Sequence, residues 1–254
     1  MKRALIIILV ICLLMVSSPL KTNAADASYS WYCKRVSGHA RPPLPSEFNF
    51  IENYSCIWLD KTDSKKVYLT FDAGYENGNI EKILDVLKDK NVKGAFFILL
   101  NLIETNPELV KRMSDDGHLV CNHTAHHKNM SKVTDVKVFK DELVILSDAY
   151  NGLIGKPISM FYRPPEGTFS ERNLKMAQDL GYTTILWSFA YADWDNASQP
   201  SIEYAKNKIL ENVHDGAVIL LHPTSATNAA ILDEVIDEIR NMGYEFGTLD
   251  EIKR

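Results

Sequence analysis

The chain has 254 residues, 46% of them hydrophobic, and a formal charge of −5. An excess of acid gives no attraction to phosphate backbones, which argues against a nucleic-acid partner. The length and apolar content suit one large domain with a sizeable core, and no internal repeat or low-complexity tract divides it.

Met1-Lys2-Arg3 is basic, residues 4–16 are an unbroken apolar run of 13, and Thr22-Asn23-Ala24 precedes Ala25. The run is shorter than the roughly 20 residues a membrane span needs. Basic, apolar and then small residues is the order of a secretory signal peptide, read here over 1–24, with an uncleaved anchor as the alternative. The protein is therefore expected to be exported and to act outside the cytoplasm. Removal of 1–24 takes away Lys2, Arg3 and Lys21 and moves the charge from −5 to −8. Cys33, Cys56 and Cys121 remain, without a CxxC pair, so a thiolate zinc site is not expected. A Cys33–Cys56 disulfide is an option outside the cell, and Cys121 reads as a small buried strand residue.

Residues 25–65 carry aromatics (Tyr29, Trp31, Tyr32, Phe48, Phe50, Tyr54, Trp58) and prolines (Pro42, Pro43, Pro45) without periodicity. They are read as an irregular segment packed on a main domain over 66–254. In that domain Val67, Leu69 and Phe71 alternate as in a strand. Ile80, Ile83, Leu84 and Leu87 recur at helical spacing, and 94–99 is a short apolar strand. A helix over 107–116 stops at Gly117, and 118–121 is the next strand. Phe139, Leu143, Leu146, Tyr150, Leu153 and Ile154 mark a long amphipathic helix. Strands at 160–162, 183–187, 217–221 and 245–247 then alternate with helices over 171–180, 202–213 and around Ile231 to Ile239. About seven strands in strand–helix alternation indicate a parallel sheet. An open doubly wound sheet fits this alternation as well as a barrel does.

The polar clusters favour the barrel. Asp72, the pair His123 and His127, Arg163, Asp193 and His222 each follow a predicted strand, and barrels build their sites from the C-terminal ends of strands. The spacing of His123 and His127 places both imidazoles on one face of a helical turn, an arrangement suited to a divalent metal such as zinc. An isolated pair of this kind is more often two surface histidines. His126 points to another face and is not read as a ligand, while His39, His118 and His214 read as structural or solvated. Asp72 beside a metal-bound water is placed for general-base work. Arg163, before Pro164-Pro165, has an extended backbone and can keep a carboxylate ionised. His222 aligned by Asp193 is placed as a general acid. Taken singly, each of these residues is more often structural.

In sequence order, Thr70-Phe71-Asp72-Ala73-Gly74, His123-Thr124-Ala125-His126-His127, Arg163-Pro164-Pro165, Asp193-Trp194 and Leu221-His222 resemble the five motifs of polysaccharide deacetylases. This is carbohydrate esterase family 4, the NodB-homology family, and the match spans roughly 66–252. The resemblance implies a distorted (β/α) barrel and metal-assisted hydrolysis of N- or O-acetyl groups on sugars. It assigns Asp72 as base, His123 and His127 as metal ligands, Arg163 as partner of the base, and His222 as acid tuned by Asp193. It also places Trp194 and Leu220 near the acetyl group. In the hydrolysis expected here, a backbone N–H near Glu166-Gly167 stabilises the oxyanion. The longer strings 72–78, 163–171 and 192–194, with the segment around Trp31 and Pro42-Pro43, look like the sporulation branch. That branch deacetylates N-acetylmuramic acid in spore-cortex peptidoglycan on the way to muramic δ-lactam, after an N-acetylmuramoyl-L-alanine amidase has removed the stem peptide. The expected setting is thus the cell wall or forespore envelope, with peptidoglycan strands as partner and the protein as a monomer. Chitin-like, GlcNAc or xylan substrates, or a degenerate barrel that only binds glycan, are the alternatives. One departure is plain: the family's third metal ligand is an Asp where this chain has Ala73.

Overall fold

The computed structural model describes residues 27–62 and 64–253. The signal peptide read over 1–24 lies outside them. Among the described residues no helix is long and apolar enough to cross a membrane.

The framework is a parallel sheet curled into a distorted barrel. Its strands are β2 (Cys56–Ile57), β3 (Lys66–Ala73), β4 (Ala95–Ile98), β5 (Leu119–Asn122), β6 (Ser159–Tyr162), β8 (Thr183–Ile185), β9 (Ala217–Leu221) and β10 (Glu245–Phe246). They follow the order β10-β3-β4-β5-β6-β8-β2, and β9 pairs with β3. The chain beyond β8 reaches β9 through a parallel bridge between Phe189 and Ile219, which draws the two ends of the sheet together. A second sheet is a two-residue antiparallel pair, β1 (Tyr29–Ser30) with β7 (Thr168–Phe169). The helices α1 (Ile80–Asp89), α2 (Leu100–Thr105), α3 (Pro107–Asp115), α4 (Val136–Ile154), α5 (Glu171–Asp179), α6 (Ile202–Asn212) and α7 (Ala226–Asn241) connect the strands.

Strand periodicity sorts the side chains into two layers. On β3, Val67, Leu69, Phe71 and Ala73 point to the helices and join one apolar cluster with Ile83, Leu87 and Val235. Tyr68 points inward, where it meets Phe97, Cys121, Ile185 and Val218. Thr70 and Asp72 continue this inward row, so the alternation that buries the barrel wall also lifts Asp72 to the top of the interior. Cys121 is a wholly buried strand residue, as its apolar context implied.

All seven strands expected from the sequence are present; the differences lie elsewhere. The segment before residue 66 is more ordered than its lack of periodicity implied. It contributes β2 to the barrel sheet, with Cys56 opposite Thr184, and a 3-10 turn over Ser46–Asn53. Elements this short repeat too few times to leave a period. Trp31, Phe48, Ile51, Trp58, Phe169 and Leu186 pack into an aromatic-rich cluster that roofs one side of the barrel. The Cys33–Cys56 disulfide is absent: all three described cysteines are free thiols. Cys56 packs in the aromatic cluster, whereas Cys33 lies beside Arg35 and Ala190, where burial pushes its thiol up to about 11.

Trp31 joins this segment to the barrel. Its N–H donates to the Gly167 carbonyl at 2.9 Å, its indole N–H donates to the Trp187 carbonyl at 2.8 Å, and its ring packs at a tilt against Phe48 and Trp58. Trp31→Ala should therefore cost about 3–5 kcal/mol of stability, the usual range for emptying a buried aromatic site. Chemical denaturation would measure it, and a loss well under 1 kcal/mol would show that the segment is only loosely attached.

Candidate functional site

A cavity of about 580 Å³ opens at the C-terminal end of the barrel. Asp72, His123, His127, Gly167, Trp194, Leu220 and His222 line it, together with Tyr75, Leu99, Glu166, Trp187 and Tyr191. Arg163 and Asp193 stand directly behind this lining.

On one wall, Asp72 Oδ1 accepts a hydrogen bond from Arg163 Nη1 at 2.7 Å. The Arg163 side chain is wholly buried. Its remaining donors reach Thr70 Oγ1 at 2.9 Å and the Ile185 carbonyl at 3.2 Å, and its guanidinium lies 4.1 Å from the centre of the Phe97 ring. Burial alone would raise the carboxyl pKa of Asp72, but the charge and hydrogen bond of the Arg163 guanidinium lead the opposing effects and hold it below the ordinary value.

The two histidines come from an irregular loop, not from the helical turn that their spacing suggested. Thr124 and His127 have φ of 73° and 54°, which no α-helix contains. The loop still brings the rings together, with centroids 5.1 Å apart. Thr124 Oγ1 accepts from the His127 N–H, and Glu142 on α4 accepts from the N–H of His126 and binds its ring. His126 is thereby turned away from the cavity. His123 Nδ1 donates to the Arg163 carbonyl at 2.8 Å, which leaves Nε2 facing Asp72 Oδ2 at 3.6 Å. Burial lowers the His123 pKa to about 4, so the ring is neutral at physiological pH.

On the opposite wall His222 follows β9. Asp193 Oδ1 accepts from its Nδ1 at 2.7 Å, and Asp193 Oδ2 accepts from its backbone N–H at 2.8 Å. Burial opposes a charge on His222, yet the hydrogen bond and charge of Asp193 prevail and raise its pKa above the ordinary 6.5. Asp193 does not directly follow β8; it sits on the long loop to α6. Trp194 is 60% exposed on the cavity rim, its ring edge-on to His222 with centroids 6.1 Å apart. Gly167 has a φ of +63°, and a Cβ there would lie 2.5 Å from the Trp187 ring, so the turn must be glycine. The Gly167 N–H is bonded to the Pro164 carbonyl. His118 and His214 lie outside the cavity and bond to Gly94, Asn212 and Ser188.

Sequence reasoning missed three contributors. Thr70, inside a motif, links Arg163 to the Ile219 carbonyl. Trp187 forms the wall beside Gly167, and Asn228 on α7 donates to Asp193 Oδ2 at 2.6 Å. Thr70 was within reach of its motif, while Trp187 and Asn228 carry no local signal.

A family model for polysaccharide deacetylases matches residues 59–185. The peptidoglycan-N-acetylmuramic acid deacetylase PdaA of Bacillus subtilis is 39% identical over 88% of this chain and 85% of its own length. The chain belongs to the polysaccharide deacetylase family. The solved structure of PdaA, described as a family 4 carbohydrate esterase, superposes with a TM-score of 0.86 at 38% identity, covering 89% of this chain and 97% of that one. A peptidoglycan-N-acetylglucosamine deacetylase of Bacillus cereus is 34% identical over 80% of this chain and 73% of its own. Deacetylases of this family are generally metal-dependent.

The donor set suits such an ion only in part. His123 Nε2 and the His127 ring are good donors for a borderline-soft divalent metal, and Asp72 Oδ2 is close enough to join them. Ala73 is wholly buried in the helix-facing apolar layer, so its position supplies no donor. Among the described residues no group of three His, Cys, Asp or Glu side chains is already arranged around a metal position.

The shift of His222 can be tested directly. An NMR titration should place its pKa above 6.5, and Asp193→Asn, which removes the main opposition to burial, should lower it. The raised pKa also means that His222 stabilises the fold below about pH 6.5, a contribution lost as pH rises through the folded value. An unchanged titration in the variant would remove Asp193 as the cause.

Proposed function

We propose that this protein hydrolyses the N-acetyl group of N-acetylmuramic acid in peptidoglycan. One observation carries the hydrolytic reading: a carboxylate whose pKa is lowered and an imidazole whose pKa is raised face one cavity, each tuned by its own buried partner. Two titratable groups pushed in opposite directions are the pattern of a base and an acid. The muramic assignment is supported by the likeness to PdaA over most of both chains. The B. cereus relative supports N-acetylglucosamine as the second reading. A barrel that only binds glycan would have no use for this acid–base pair.

In the reaction, Asp72 takes a proton from water as the water oxygen attacks the acetamide carbonyl carbon. Arg163 keeps Asp72 ionised and aimed at the cavity, while Trp194 and Leu220 hold the acetyl methyl. The N–H of Glu166 is the donor left at its turn for the oxyanion, since that of Gly167 is bonded to Pro164. Protonation of the sugar nitrogen by His222 lets the C–N bond break, giving acetate and a free amine. A divalent ion, zinc by this reading, would be held by His123 and His127 and would supply Lewis-acid polarisation of the acetyl oxygen.

The wider setting follows the same reading. The protein is exported by its N-terminal signal and works as a monomer on cortex peptidoglycan during sporulation. It acts after an amidase has removed the stem peptide, and its amine product leads to muramic δ-lactam.

Acetate release from peptide-free glycan strands tests the chemistry. Asp72→Asn and His222→Ala should each lower kcat by about two to four decades with folding intact. Full activity in either would put the chemistry elsewhere. Muropeptide analysis of cells lacking the protein should show loss of de-acetylated muramic acid, and a change confined to N-acetylglucosamine would select the second reading. Calorimetric titration with zinc should show modest affinity that His123→Ala and His127→Ala each abolish. Binding that survives both changes would exclude these ligands.

A further inference from the structure

We propose that Asn228 is a positioning residue for the acid side of the site: with the Tyr191 hydroxyl, it locks the Asp193 carboxylate in the orientation that holds His222. The inference rests on the reading of His222 as proton donor. It goes further by naming a group that touches neither the imidazole ring nor the cavity.

Asp193 is 1% exposed, so its carboxylate depends on protein donors. Oδ1 serves the His222 ring. Oδ2 receives the His222 N–H at 2.8 Å and Asn228 Nδ2 at 2.6 Å, and among the described residues no Lys or Arg pairs with this carboxylate. The Asn228 amide has only one sensible orientation. Its Nδ2 also donates to the His222 carbonyl at 3.2 Å, while its Oδ1 accepts from the Tyr191 hydroxyl. A flipped amide would set its oxygen against a carboxylate and a carbonyl.

The backbone of Asn228 is equally fixed. It lies in the first turn of α7, where its N–H donates to the capping Ser225 Oγ at 3.1 Å. Ser225 Oγ donates to Gln199 Oε1, and Gln199 Nε2 donates to the Asp193 carbonyl at 3.0 Å. The start of α7 and the loop that carries Asp193 are thus latched at both the side chain and the main chain. Without the Asn228 amide, Oδ2 keeps one donor, the carboxylate can rotate about its Cβ–Cγ bond, and the ring loses its fixed aim. Such a fault affects the proton-transfer step and leaves substrate binding alone.

The test is a double-mutant cycle on peptide-free glycan strands. Asn228→Leu keeps the volume and removes the hydrogen bonds. It should lower kcat about 10- to 100-fold with little change in KM, the size seen for groups that orient a functional side chain. In an Asp193→Asn background the same change should have almost no further effect, because the group it aims is already disabled. An undiminished loss in that background would mean that Asn228 supports the fold in general, and would overturn the proposal, as would an unchanged kcat in the single variant. Full activity of Asp193→Asn would instead overturn the acid reading beneath it. Should Asn228→Leu fail to fold, Tyr191→Phe removes only the outer hydroxyl. Its smaller loss should likewise vanish in the Asp193→Asn background, and a loss that persists there would overturn the proposal.

Discussion

The site is organised around a cation with no access to water. Arg163 is wholly buried, and a charge in that position is tolerable only if every donor finds an acceptor and a counter-ion is close. Asp72 supplies the counter-charge, Thr70 and the Ile185 carbonyl take further donors, and the Phe97 ring covers one face of the guanidinium. These partners come from β3, β4 and β8, so one side chain ties together three strands of the barrel. Its own carbonyl orients His123. Replacement of Arg163 by a neutral residue would therefore disturb the base, the histidine loop and the barrel interior together.

The two walls of the cavity show how one fold can push the pKa values of two neighbouring groups in opposite directions. Both Asp72 and His222 lose water, and desolvation works against charge on each. The local partner decides the outcome: a guanidinium beside the carboxylate, a carboxylate beside the imidazole. Since the partners are buried and bonded from behind, the functional atoms remain free to face the cavity. His123 lacks a comparable carboxylate bond on its ring, and there burial prevails and leaves a neutral imidazole, the form that can ligate a metal.

The histidine loop and the Gly167 turn are irregular backbone held from outside. Thr124, His127, Glu166 and Gly167 all have positive φ, a costly conformation for residues other than glycine. Glu142 on α4 secures the histidine loop, binding His126 and Lys128 as well as receiving the Ala125 N–H on its carbonyl. Trp31 secures the Gly167 turn, and β1 continues that hold along β7. The segment before residue 66 for this reason supports the cavity wall from behind and is not a cover laid over a finished barrel.

The sequence by itself determined the strand–helix alternation, the seven strands and the residue types at their C-terminal ends. Period-two and period-3.6 patterns are local, and they follow from which face of each element must be buried. It also singled out Asp72, His123, His127, Arg163, Asp193 and His222, because each stands in a short motif near a strand. Only the tertiary structure decided how these residues meet. The loop geometry of His123 and His127, the burial of Ala73 among helix-facing residues and the free state of Cys33 and Cys56 depend on neighbours remote in the chain. The same holds for Asn228 and Trp187, which reach Asp193 and Gly167 across 35 and 20 positions of sequence. Hydrogen bonds and ring contacts of this kind obey no period, so they become visible only when the barrel closes and brings their partners within a few ångströms.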